Sequence, residues 1–205
     1  MRLEQYLLTE NYGPTPEEVI KMVRKDCSEA LNAMIRTQNA LWRGSDDSFS
    51  GYIKAFTPRT DRRPRDTKKW VHDILDEEFE KKFGWKVRSE AVFATASKSV
   101  ADGFGNRAYM FFPFDGFEIV WSDKVSDLTM KFVSVYRDND FRNRAEEEEK
   151  AIRKVVDGLM KTYKEGNIDQ AIYSMNEISF KCKKYYLVDD DMWDDGFYEI
   201  IRGNS

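Results

Sequence analysis

The chain has 205 residues, a length that suits one domain with a core of its own. Hydrophobic residues make up 41% and aromatics 14%, which excludes global disorder and favours a β-rich or α+β domain over a coiled coil. A formal net charge of −4 argues against a generally basic nucleic-acid coat and leaves room only for a local basic patch.

Helix signals come first. Thr15-Pro-Glu-Glu18 reads as an N-cap, a proline at the first helical position and acids in the first turn. Apolar residues from Val19 to Ile35 recur at helical spacing, so a helical lead-in over residues 1–38 carries one helix across about 16–38, ahead of a core over 39–205. Ala40-Leu-Trp-Arg-Gly44 suits a buried strand that stops at a turn, and Gly51 to Phe56 alternates like a second. Thr57 to Arg65 carries two prolines and four arginines and reads as an exposed loop. Asp66-Thr67 caps a helix to about Lys82, which Gly84 ends. Val87 to Ala96 reads as a strand, followed by a short helix near Ser99–Gly105. Tyr109–Phe112 and Phe117–Trp121 are two strands whose connection, Pro113-Phe-Asp-Gly116, has the composition of a hairpin turn. A charged helix runs from Phe141 to about Lys164. Glu177–Phe180, Tyr185–Val188 and Phe197–Ile201 close the chain as strands, the last two separated by an acidic turn. The expectation is a single α+β domain.

Cys27 and Cys182 are isolated, so neither a disulfide framework nor a zinc site is expected, and a reducing cytoplasm is the plain reading. The aspartates from Asp189 lack the alternation and central glycine of a calcium loop, so no metal is expected. No stretch approaches the ~18 apolar residues of a membrane span, and no membrane partner is expected. Arg59, Arg62, Arg63 and Arg65 form the one dense basic stretch. Its plain reading is a solvated loop, and its functional reading is a contact to phosphates of a nucleic acid or a cofactor.

Three segments point to chemistry by their order: Leu41-Trp-Arg-Gly44, Phe93-Ala-Thr-Ala-Ser97 with Ala101 and Phe104 following, and Asn176-Glu-Ile-Ser-Phe180 with Tyr185-Tyr-Leu-Val188. An arginine at one strand end, hydroxyls on a second strand and a glutamate opening a third resembles the arginine–serine–glutamate class of the ADP-ribosyltransferase family. The resemblance covers the core from about 40 to 202 and extends to small enzymes of that family carried by bacteria and bacteriophages. It implies a split, mixed sheet with an NAD cleft between its halves, set in a cytoplasm that would be the host's for a phage-encoded enzyme. NAD would be the substrate, and transfer of its ADP-ribose to a protein or nucleic-acid acceptor the reaction. Arg43, beside Gly44, would bind the cofactor's phosphate or ribose, because a guanidinium makes two charge-assisted bonds. Thr95 with Ser97 would stand where the family has its serine motif, and Phe104 would wall the nicotinamide. Glu177 would be the catalytic carboxylate, stabilising positive charge on the ribose. Met175 and Asn176, in the loop before it, would face the acceptor. Members that modify arginine carry Glu or Gln where this chain has Met175, which leaves the acceptor open. The substituted hydroxyl motif also keeps two other readings in view: an NAD glycohydrolase, and a non-catalytic interaction or virion protein with the same fold.

Overall fold

The computed structural model describes residues 13–64, 67–138 and 144–192. Helices α1 (Pro16–Asp26) and α2 (Ser28–Thr37) lead into strands β1 (Trp42–Ser45) and β2 (Ile53–Phe56). Helices α3 (Lys69–Phe83) and α4 (Val87–Glu90) precede β3 (Val92–Thr95), α5 (Lys98–Asp102), β4 (Arg107–Pro113) and β5 (Glu118–Ser122). Then follow α6 (Leu128–Asp138), α7 (Ala145–Met160), β6 (Tyr163–Glu165), α8 (Ile168–Tyr173), β7 (Glu177–Lys181) and β8 (Tyr185–Val188). The expected strand at 197–201 lies outside the described residues. None of the described helices is long and apolar enough to cross a membrane.

The eight described strands form one sheet in the order β2-β8-β4-β1-β3-β7-β5-β6. Every pairing in it is antiparallel, so the α+β class holds, whereas the expected mixed sheet does not. The sheet is two four-stranded halves. Their junction, β1 against β3, is one residue pair, Trp42 opposite Thr95. Beyond that pair the strands part, and the edge of β3 that faces β1 is left without a ladder partner.

Two apolar clusters hold the halves. One gathers α1, α2, α8 and inward residues of the strands, with Val19, Val23, Met34, Phe111, Phe112 and Phe180 shut off from solvent. The lead-in helices are therefore part of the main core. The second packs α3, α4, α6 and α7 over the β6 side of the sheet, around Phe79, Val87, Ile152 and Val156.

Two expectations change for one physical reason. The expected helix over 16–38 is broken at Cys27, because Asp115, from the turn after β4, accepts a bond from the Glu29 N–H at 2.9 Å and another from the Ser28 hydroxyl, capping α2. The expected strand over 87–96 begins instead as α4, because Asp76 on α3 accepts from the Arg88 N–H at 2.7 Å and the Ser89 N–H at 3.3 Å. In both places a carboxylate remote in sequence caps a helix. The expected hairpin between β4 and β5 is absent, since the two strands lie in opposite halves and the segment between them crosses the sheet. Helices α6 and α8 were not expected at all. The helix expected from Phe141 starts at Ala145 in the described residues, and α3 starts after Lys68, with Asp66 outside them.

Gly44 is fixed by packing. A Cβ there would stand 2.2 Å from the Ala101 carbonyl oxygen, because the end of α5 lies directly on β1. Gly158, on the exposed side of α7, would meet nothing within 4 Å. Gly44→Ala should therefore destabilise the fold by about 1–3 kcal/mol through overpacking. Gly158→Ala should stabilise it by roughly 0.5–1 kcal/mol through helix propensity. Urea unfolding of the two variants checks both signs.

Candidate functional site

A cleft of about 1160 Å³ opens along the split. Arg43, Gly44, Thr95, Phe104 and Glu177 all line it, as do Arg59, Arg62 and Arg63. The register explains part of this. Thr95 pairs with Glu177 and Phe93 with Ser179, so in this antiparallel ladder their side chains share one face of the sheet.

The unpaired edge of β3 organises the rest. Buried carbonyl groups must find donors. A continued ladder would set β1 backbone opposite Phe93; instead the Arg43 guanidinium donates to the Phe93 carbonyl at 2.7 Å. The next carbonyl on that edge, Ala91, accepts from the Arg62 guanidinium at 3.1 Å, and the Arg62 N–H reaches the Ser89 carbonyl at 3.3 Å. The segment expected as an exposed loop thus lies along the edge, with Arg62 half-buried. Arg59 and Arg63 are exposed, and Arg59 pairs with Asp61 at 3.4 Å. Arg65 lies outside the described residues.

Phe93 is the hub. The Arg88 guanidinium lies over its ring at 4.4 Å and that of Arg62 at 4.7 Å, while Arg43 holds its carbonyl. Arg88 also donates to the Glu177 carboxylate at 2.9 Å, and both side chains are largely covered. Burial, with Arg43 and Arg88 beside it, lowers the Arg62 pKa to about 10. Arg88 was missed in the sequence because residues 87–96 read as one strand, in which it is an ordinary outward charge.

The remaining expected residues have other duties. The Thr95 hydroxyl donates to the Met175 carbonyl at 3.0 Å and accepts from the Ser97 N–H at 3.1 Å. It therefore pins the loop before Glu177, and its proton is not free for a ribose. Met175 takes a left-handed φ of 58°, uncommon without glycine, and this bend delivers Glu177 to the start of β7. Ser97 caps α5 through the Val100 N–H and does not line the cleft. Met175 and Asn176 lie outside the lining too, with the Asn176 amide donating to the Ser122 carbonyl at 3.0 Å. Phe104 is 59% exposed, a large ring presented to the opening.

Behind Arg88 sits a buried polar group. His72 Nε2 lies 3.0 Å from the Ser89 hydroxyl and 3.3 Å from Asp76. Burial raises the Asp76 pKa, but hydrogen bonds from His72, Ser89 and the Arg88 N–H outweigh it and hold the carboxyl below its ordinary value. The acidic turn from Asp189 to Asp191 is bound by Arg107, with Lys98 also on Asp190, tying β8 to β4 and α5.

A scan of protein-family models, a search of curated proteins and a search of solved structures each return no match for this chain.

A carboxyl held below its ordinary pKa adds stability that is fully present above that ordinary value. The contribution is lost as pH falls through the lowered folded value. Asp76→Asn should cost about 1–3 kcal/mol at pH 7, because α4 loses a charged cap. The gap between variant and wild type should close as pH falls below the ordinary Asp value of 3.8. Urea midpoints of both proteins from pH 7 to pH 3 check this.

Proposed function

We propose that this chain is an NAD-dependent mono-ADP-ribosyltransferase, with Glu177 as its catalytic carboxylate and Arg43 and Arg62 among its phosphate ligands. The observation that carries this reading is the convergence, in one cleft at the split of the sheet, of Glu177 with Arg43, Arg62 and Arg88. Five arginines line the cleft against four carboxylates, those of Asp46, Asp47, Asp127 and Glu177, so the lining keeps a net positive charge, and the guanidinium groups of Arg43, Arg62 and Arg88 suit a dinucleotide's diphosphate.

In the reaction the C1′–N bond breaks and its electron pair leaves with the pyridinium nitrogen, so neutral nicotinamide departs. Positive charge develops on the ribose, and the Glu177 carboxylate stabilises it while accepting a hydrogen bond from the 2′-hydroxyl. The acceptor's nucleophilic atom then bonds to C1′ and its proton passes to solvent. Arg43 and Arg62, seated on the β3 edge, hold the diphosphate. The Phe104 ring, exposed in the cleft lining, is the proposed stacking surface for nicotinamide. Thr95 acts through the loop it pins and fixes the position of Glu177. The acceptor is a protein side chain or a nucleic acid, and the exposed Arg59 and Arg63 at the cleft suit the phosphates of the latter.

Glu177→Gln should lower nicotinamide release from labelled NAD by about 10²–10³-fold, the scale for losing one preorganised charge at the reacting centre. Dinucleotide binding should persist. Incubation with a bacterial lysate, followed by nuclease and protease digestion of labelled product, reads the acceptor class. Free ADP-ribose without labelled macromolecule would instead indicate hydrolysis. Wild-type turnover by Glu177→Gln would remove Glu177 from the mechanism.

A further inference from the structure

Resting on that reading, we infer that Arg88 is a latch on Glu177 that the substrate's diphosphate opens. In the free protein the carboxylate expected to meet the ribose is already bonded, by Arg88 at 2.9 Å. Largely covered as both side chains are, the pair is better shielded from water than a surface ion pair. Of the three guanidinium groups gathered around Phe93, that of Arg88 is the one best placed to move. Arg43 and Arg62 are committed to the Phe93 and Ala91 carbonyls, which have no ladder partner on that edge. Arg88 makes no bond to that edge. Its backbone is held by Asp76 at 2.7 Å, so α4 stays in place while the long side chain turns over the Phe93 ring.

An arriving diphosphate brings two negative charges to the guanidinium groups of Arg43, Arg62 and Arg88, the last of which is bonded to the Glu177 carboxylate. The phosphate oxygens compete with Glu177 for Arg88, and the anion with more charge and more acceptor atoms wins. Arg88 then completes the phosphate clamp and Glu177 is released to the ribose. The exposed carboxylate therefore forms only in a loaded cleft.

Two ligands of one guanidinium oppose each other, and the coupling is reciprocal. Neutralising Glu177 should thus tighten diphosphate binding, and should do so through Arg88. The probe is ADP, which carries the diphosphate without nicotinamide, titrated by calorimetry into wild type, Glu177→Gln, Arg88→Gln and the double variant. Expected is about fivefold or more tighter binding by Glu177→Gln than by wild type, in the range of site-to-site couplings. Arg88→Gln should bind about tenfold more weakly, as when one charged hydrogen bond is lost. In the Arg88→Gln background the gain from Glu177→Gln should shrink to less than about twofold, since the coupling passes through the missing group. A gain of full size in that background would mean through-space repulsion alone and would overturn the latch, as would no gain in Glu177→Gln itself. If Arg88→Gln does not fold, Arg88→Lys serves in the same cycle, because an ammonium lacks the planar fork, and its gain should again fall below that of the wild-type background. ADP binding to none of the folded proteins would overturn the proposed NAD cleft, whereas binding without coupling would overturn only the latch.

Discussion

A single residue pair joins the two halves of this sheet, and most of the site follows from that. Where β1 and β3 part after Trp42 and Thr95, the carbonyl groups of Ala91 and Phe93 lose the partners a closed ladder would supply. An open edge with unsatisfied carbonyls must be sealed. Here side chains seal it, with the guanidinium groups of Arg43 and Arg62 as donors. Each guanidinium has more donors than one carbonyl consumes. Sealing the edge therefore also lines the gap with directed, unspent N–H groups. An acidic protein thereby brings two guanidinium groups to one cleft.

The second constraint is the long-range capping of short helices. Asp76 fixes the start of α4 and thereby the root of Arg88. Asp115 fixes the start of α2 and holds the lead-in against the turn after β4. Thr95 plays a similar part for the loop before Glu177, with its hydroxyl on the Met175 carbonyl. Arg88 and Glu177 thus stand on backbone that other residues hold in place, the preorganisation that the proposed chemistry requires.

These interactions mark what the sequence made legible. The strand that opens at Glu177, the short helix after Ser97 and the glycine stop at Gly84 come from local pattern, and local pattern is enough for them, whereas Arg43, expected at a strand end, is the second residue of β1. The break at Cys27 and the helix at Val87 were not legible, because the carboxylates that impose them lie 86 and 12 residues along the chain from the Glu29 and Arg88 N–H groups they accept from. The absence of a hairpin after Pro113 is of the same kind: a Phe-Asp-Gly turn suits several connections, and only the whole sheet decides among them. Arg62 illustrates the limit most clearly. A proline- and arginine-rich segment reads as solvated, and nothing local to it says that an unpaired strand edge awaits its side chain. Ser97 erred in the opposite sense, since a hydroxyl beside a strand end suits a helix cap as well as a ligand.

Phe93 joins all of this, because three arginines meet on one residue whose ring and carbonyl are both in use. Calorimetric titration of NAD into wild type and Phe93→Leu tests that arrangement most directly. Leucine keeps the backbone carbonyl and apolar bulk and removes only the ring face. The account predicts one NAD bound per wild-type chain. Binding to a folded Phe93→Leu should be about tenfold weaker, the combined effect of two lost cation–π contacts. Equal affinity in the two proteins, or no binding to wild type, would contradict it.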